Sequence, residues 1–332
     1  MVITSTRDSG AGIRVFLKRI LPKPIWHILR AILLSRQITS IVRIVKIIMG
    51  RGLLLYFKVA FSSDYIIAYW WDPNRFKNFG DALNPILIGL LSGKKVIHSR
   101  RIINFTRKPV YYVIGSILRQ VDTGNAAVWG SGFIDSKDKL RKPPRKVTAI
   151  RGPLTRKKLL ELGVECPEVY GDPALLCPMF FNPSPIKRYR VGFVPHYTDW
   201  SSPLLEKFRN MPDVSVIDVT SSVEEVIQKI TECEIIVSSS LHGLIVADAY
   251  GIPSIWVKIS GRIVGDDFKF YDYFQSVGRE DTAALQLTEN ITLADILRTK
   301  KEYRIKFDTK KLLAACPFVN RKQVTERLYC ND

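Results

Sequence analysis

A chain of 332 residues is longer than a single hydrophobic core usually serves, and 46% hydrophobic residues is enough to build a core in each of two domains. Fifty Lys and Arg against 31 Asp and Glu leave a formal charge of +19, which calls for an anionic partner: a phosphorylated substrate, an anionic lipid or a nucleic acid. Five scattered cysteines, Cys166, Cys177, Cys233, Cys316 and Cys330, are odd in number and lack CxxC spacing, which excludes a disulfide framework and a zinc site. They read as reduced thiols of a cytosolic protein, and no metal site is indicated.

Residues 1–60 form a basic arm. No Asp or Glu occurs from Ser9 to Ser63, while Arg14, Lys18, Arg30, Arg43, Lys46 and other cations interrupt apolar residues. No uncharged run reaches the roughly 18 to 20 residues of a membrane span, and no small-residue cleavage site follows as it would in a signal peptide. Between Ile38 and Met49, Arg43 and Lys46 share one helical side with Arg36 a heptad earlier. That pattern suits a helix lying on an anionic bilayer, each cation there worth about 1 kcal/mol, and it equally suits a helix packed on the domain behind it. A mitochondrial presequence shares the acid-poor character.

The first domain is expected over 61–180. Strand patterns occur at Asp64–Trp71, Lys95–His98, Val110–Ile114, Ala127–Trp129 and Val147–Ile150. Between the first two, Asn78, Phe79, Gly80 and Asp81 make a loop entering a helix that stops near Gly93. Asp81 either caps that helix or holds a substrate hydroxyl. RGPLT at Arg151–Thr155 puts a guanidinium before a helix that starts at Pro153 and ends at Gly163, so it is either an anion site or a solvated turn. Asp172, in the turn Gly171–Pro173, either braces that turn or faces the cleft. The proline-rich segment Pro178–Pro185 reads as a linker.

A second alternation fills the domain expected over 181–332: strand Tyr189–Val194, helix Leu204–Arg209, strand Val214–Val219 and helix Val223–Thr231. The β-branched run Ile235–Val237 follows, then a serine turn, then a helix from Leu241 closed by Gly251 and Pro253. Ser238, Ser239, Ser240 and His242 therefore stand where a strand ends and a helix begins, a natural seat for an anion beside a proton donor. Further on, a strand covers Pro253–Ile259, and helices cover Asp267–Val277 and the tail after Leu293. Strands alternating with helices at these lengths predict two doubly wound parallel α/β domains facing across a cleft.

Taken in order, NFGD, RGPLT, YGDPALL and SSSLHGLIVADAYGIP resemble the polysaccharide pyruvyl transferase family from about Asp64 to Gly278. The resemblance implies a glycosyltransferase B-like pair of Rossmann-like domains, and transfer of the enolpyruvyl unit of phosphoenolpyruvate to two sugar hydroxyls as a ketal. It implies His242 as acid, Asp81 as the acidic residue of the first loop and Arg151 as a donor-binding arginine. Ser238, Ser239, Ser240, Gly243, Asn78 and Asp172 are the remaining substrate-binding expectations. Many relatives have Arg where this chain has Ser240. Lys258, Arg262 and Lys269 are the candidate replacements, with Lys269 favoured because FKFYDYF resembles a lysine-containing segment of relatives.

No cofactor is needed beyond phosphoenolpyruvate as co-substrate, and the acceptor is an oligosaccharide or a lipid-linked saccharide at the cytoplasmic face of a membrane. An imidazolium beside the donor anion is favoured by charge. The competing readings are a nucleotide-sugar glycosyltransferase of the same architecture and a non-catalytic basic membrane binder. The basic residues match no nucleic-acid module.

Overall fold

The computed structural model describes residues 58–59, 61–72, 78–102, 108–183, 186–280 and 283–320. All but two residues of the basic arm at 1–60 lie outside the described residues, as does Cys330. Among the described residues no helix is long and apolar enough to cross a membrane. The other four cysteines are buried and unbridged.

Among the described residues ten strands make two five-stranded sheets. The first contains β1 (Tyr65–Tyr69), β2 (Lys95–His98), β3 (Val110–Tyr112), β4 (Ala126–Trp129) and β5 (Lys146–Ala149), in the order β2-β1-β3-β4-β5. The second contains β6 (Tyr189–Val194), β7 (Val214–Val216), β8 (Cys233–Ser238), β9 (Ser254–Lys258) and β10 (Leu285–Gln286), in the order β10-β9-β8-β6-β7. Every pairing is parallel. Parallel strands are covered on both faces, which is why β4 reads AAVW and is buried throughout, and why IIV at the centre of β8 is β-branched.

Numbered within its own half, each sheet has the strand order 2-1-3-4-5. In that order the crevice for a ligand opens beyond the C-terminal ends of the first and third strands, where the chain turns to opposite faces. The loops in question follow β1 and β3 in one half, and β6 and β8 in the other.

The helices are α1 (Phe79–Ser92), α2 (Pro153–Glu161), α3 (Glu206–Arg209), α4 (Val223–Thr231), α5 (Leu241–Ala249), α6 (Phe268–Val277), α7 (Leu293–Arg298) and α8 (Thr309–Ala314). Their ends follow local chemistry. Gly93 takes a left-handed conformation to close α1, Pro153 opens α2, and the Ser222 hydroxyl accepts the Glu225 N–H to cap α4. Pro85 within α1 cannot donate to the Asp81 carbonyl, and the buried Asn84 amide points at that carbonyl from 3.3 Å instead.

Several elements differ from the sequence expectation. The strand from Val214 stops at Val216, and Leu204–Arg209 divides into a 3₁₀ turn and the short α3. YGDPALL is an isolated bridge, Ile150 to Tyr170, followed by a 3₁₀ helix over Pro173–Met179 that Asp172 caps by accepting the Ala174 N–H. The two-residue β10 is too short to leave a sequence pattern.

Residues Val59–Asp332 form one compact unit holding both sheets. One apolar core runs under both, joining Leu83, Trp129 and Leu176 to Val194, Ile236, Leu244, Phe270 and Leu312. A second cluster, including Phe193, Phe208 and Val257, fills the other face of the second sheet.

Candidate active site

The loops beyond β1, β3, β6 and β8 meet around a cavity of about 200 Å³. The first turns of α1 and α5 abut there. A Cβ on Gly80 would stand 2.0 Å from His242 Nδ1, so only glycine at this position admits the imidazole. Gly115 follows β3 at φ +102°, and a Cβ on it would lie 3.9 Å from both Asp81 Oδ1 and His242 Cε1. The carboxylate from one half and the imidazole from the other thus flank a single glycine. Gly80→Ala is expected to displace the ring and lower turnover while leaving α1 helical, checked by kinetics alongside circular dichroism.

His242 is the second residue of α5. Its Nε2 faces Asp172 Oδ2 at 3.8 Å, and neither atom has a hydrogen-bond partner, although both are buried. Burial, with Arg151 and Lys269 nearby, pushes the imidazole down to about 3, whereas burial lifts the Asp172 carboxyl to about 6. The free site therefore holds a neutral imidazole. Desolvation and the neighbouring cations set this state in the free site, whereas the expectation of an imidazolium concerns the site with the donor anion beside the ring.

Asp81 accepts the Asn78 amide at 2.8 Å, and burial raises its pKa to about 7. Asn84, absent from the sequence reading, bonds both Ile114 N and Ile114 O and so ties the end of β3 to α1. Lys269, in the first turn of α6, lines the cavity, and burial together with Arg151 brings its ammonium down to about 8. Of the other replacement candidates, exposed Arg262 also lines the cavity, whereas Lys258 pairs with Asp267 outside it. Arg119 and His196 line it too and were not anticipated. Neither stands in a local pattern that sets it apart.

Arg151 is fully buried and does not line the cavity. Its Nε bonds Asp272 of α6 at 2.9 Å, and its two terminal nitrogens donate to Ser116 Oγ and Phe133 O, each at 2.5 Å. Asp272 also accepts the Thr155 N–H and hydroxyl, both at 2.7 Å. The arginine reaches the site through Ser116, which does line the cavity, and through its charge. Gly132 and Gly152 make way for this frame: a Cβ on the former would meet the guanidinium carbon at 2.5 Å, and one on the latter the Asp272 carbonyl at 1.9 Å.

The serine turn is divided. Ser238 Oγ donates between Val194 O and Ser240 O, both at 2.8 Å, and Ser239 Oγ donates to Asp199 at 2.7 Å, so these two hydroxyls brace the strand ends. Ser240 alone of the three lines the cavity, next to Leu241 and His242. Gly243 allows α5 to approach β6 and β8, since a Cβ there would stand 2.4 Å from Ser238 Oγ. Asn78, Asp81, Ser240, His242 and Lys269 are thus brought together, with Asp172 behind the imidazole and Arg151, Ser238, Ser239 and Gly243 in the supporting wall.

Chemically, the arrangement offers an imidazole at a helix N-terminus, a carboxylate across from it, and cations of two kinds around them. It suits a small anion held beside groups that can give and take a proton. The family model for polysaccharide pyruvyl transferases matches residues 78–261, more than half of the chain. Uncharacterized protein L143 of Acanthamoeba polyphaga mimivirus is 30% identical over 213 residues, covering 61% of this chain and 72% of that protein. Succinoglycan biosynthesis protein ExoV of Rhizobium meliloti (strain 1021) is 30% identical over 222 residues, covering 63% of this chain and 64% of ExoV, just under two thirds of its length. On this match over more than half of its length, the chain belongs to the polysaccharide pyruvyl transferase family.

Proposed function

We propose that the protein transfers the enolpyruvyl unit of phosphoenolpyruvate to two hydroxyls of a sugar in an oligosaccharide or lipid-linked saccharide. The products are a cyclic pyruvate ketal and inorganic phosphate. One observation carries the reading: His242 and Asp81 flank Gly115 in a cavity lined by Lys269, Arg119 and Arg262. Family membership and the name of the ExoV relative support it.

The donor carries about three negative charges, and each charge-assisted bond to it is worth roughly 1.5–3 kcal/mol. Entry of that anion raises the pKa of the neighbouring imidazole, so His242 gains its proton with the donor. His242 then protonates C3 of the enol, and the first sugar hydroxyl attacks C2, giving its proton to Asp81. The C2–O bond to phosphate breaks, and the second hydroxyl closes the ketal. Of the two hydroxyl protons lost, one balances the new methyl hydrogen and the other leaves with phosphate. Asp172, 3.8 Å from Nε2, is placed to offset the charge of the protonated ring.

The test incubates purified protein with phosphoenolpyruvate and a panel of oligosaccharides, following phosphate release and the matching pyruvate mass on the sugar. Absence of both, together with no heat of phosphoenolpyruvate binding, overturns the reading.

The pH dependence follows from two groups. Asp81 accepts a proton only above about 7, and Lys269 keeps its charge only below about 8. With the donor bound and His242 carrying its proton, a plot of kcat against pH is therefore expected to be a bell, falling on the acid side with Asp81 and on the basic side with Lys269. Lys269→Arg, which keeps its charge, should move the basic limb upward by more than one pH unit. An unmoved limb removes Lys269 from donor binding.

A further inference from the structure

His196 has no part in the reaction as written above. It follows β6, and its backbone N–H is held by Ser239 Oγ at 2.9 Å, a hydroxyl itself bonded to Asp199. On the ring, Nδ1 lies 2.7 Å from Thr198 Oγ1 and accepts the Thr198 backbone N–H at 3.4 Å. A backbone N–H can donate only to an unprotonated nitrogen, so the proton of the neutral ring sits on Nε2. Nε2 has no hydrogen-bond partner among the described residues, and His196 is one of the residues that line the cavity. Burial and the Lys269 ammonium hold the ring down at about 3, so it stays uncharged through the neutral range.

We propose that His196 is a further donor-binding residue whose Nε2–H is a fixed, uncharged hydrogen-bond donor to an anionic oxygen of the bound donor. Its neutrality has a use here. Arg151 and Lys269 already place two positive charges by His242, and a third would hold the imidazole unprotonated more firmly still. A neutral N–H binds the same oxyanion without that penalty. The inference rests on the phosphoenolpyruvate reading for the identity of the donor. The oxyanion is its phosphoryl group or its carboxylate.

The experiment is calorimetric titration of the full chain with phosphoenolpyruvate, inorganic phosphate and pyruvate, each at pH 6, 7 and 8, for wild type, His196→Ala and His196→Gln. His196→Ala is expected to weaken phosphoenolpyruvate about 10- to 100-fold, the size of one hydrogen bond to a charged partner, equally at every pH. The glutamine amide is expected to recover most of the loss. A parallel loss with phosphate identifies the phosphoryl group, and one with pyruvate the carboxylate. Affinities unchanged for all three, or a loss that vanishes above pH 7 as an imidazolium would lose its charge, overturn the proposal.

Wild type that ignores phosphoenolpyruvate yet binds phosphate through His196 leaves the oxyanion role standing and removes the donor reading. Binding of none of the three overturns both. Should the alanine variant not fold, imidazole ¹⁵N spectra of histidine-labelled wild type decide. An Nε2-protonated ring at pH 6 to 8 whose Nε2 shifts on adding phosphate supports the role, and an Nδ1-protonated or unresponsive ring overturns it.

Discussion

His242→Ala is expected to lower pyruvyl transfer by a factor of about 10² to 10⁴, the range usual for losing a positioned acid, with circular dichroism unchanged. The size of the effect follows from how completely the surroundings are arranged for that ring. Gly80 leaves it space, Asp172 backs Nε2 from 3.8 Å, and the first turn of α5 carries it to the cavity. No described carboxyl or imidazole stands ready to take over. Asp81 is needed as the base, and the His196 ring is held by Thr198. A folded variant with normal turnover would exclude His242 from the mechanism. Donor binding in wild type should also take up a proton near pH 7, because the free imidazole is neutral; calorimetry in buffers of different ionisation enthalpy measures this directly.

Arg151→Ala is expected to cost about 3–5 kcal/mol of stability, because one partner of a buried ion pair is removed and the other stays behind. Asp272 would keep its two bonds from Thr155 but lose its cation at full burial. Ser116 and the Phe133 carbonyl would lose their donors at the same time. Arg151→Lys should fall nearly as far, since an ammonium cannot serve three directions in one plane. Urea unfolding is the measurement, with a lower midpoint at an unchanged slope as the expected result. A midpoint within error of wild type would show that the pair is dispensable. A raised KM for phosphoenolpyruvate in this variant has to be read beside its stability, since Ser116 and Lys269 shift when the frame loosens.

Much of the scaffold was legible in local sequence. β6 and α4 fall where the alternation places them, and the strand-to-helix step at Ser238–His242 announced itself by a β-branched run, three serines and a Gly–Pro stop. His242 and Asp81 were singled out by motifs at helix starts and Lys269 by its likeness to a lysine-containing segment of relatives, and the fold sets all three around one cavity. The pairing of Arg151 with Asp272 was not legible, because 121 positions separate them and nothing near either names the other. Asn84 escaped for a similar reason: its three bonds depend on Pro85 freeing a carbonyl and on β3 ending beside α1. The serines were read as three hydroxyls facing a ligand, yet two are used by the strand ends themselves, where unpaired backbone groups compete for any nearby hydroxyl. The neutral state of His242 depends on burial and on charges brought in by folding.

The apolar core that continues from one sheet to the other bears on how substrates get in and out. A jaw-like opening would tear Leu83, Trp129 and Leu176 from Val194, Ile236 and Leu244 and wet them all. Traffic is thereby left to the rim, above all the stretch Ser260–Asp267, which hangs Arg262 and Val264 over the entrance and is moored at Asp266 to Ser136. Cutting that mooring with Asp266→Ala is expected to loosen this one stretch, seen as faster backbone hydrogen exchange across Ser260–Asp267 with exchange in the two sheets unchanged.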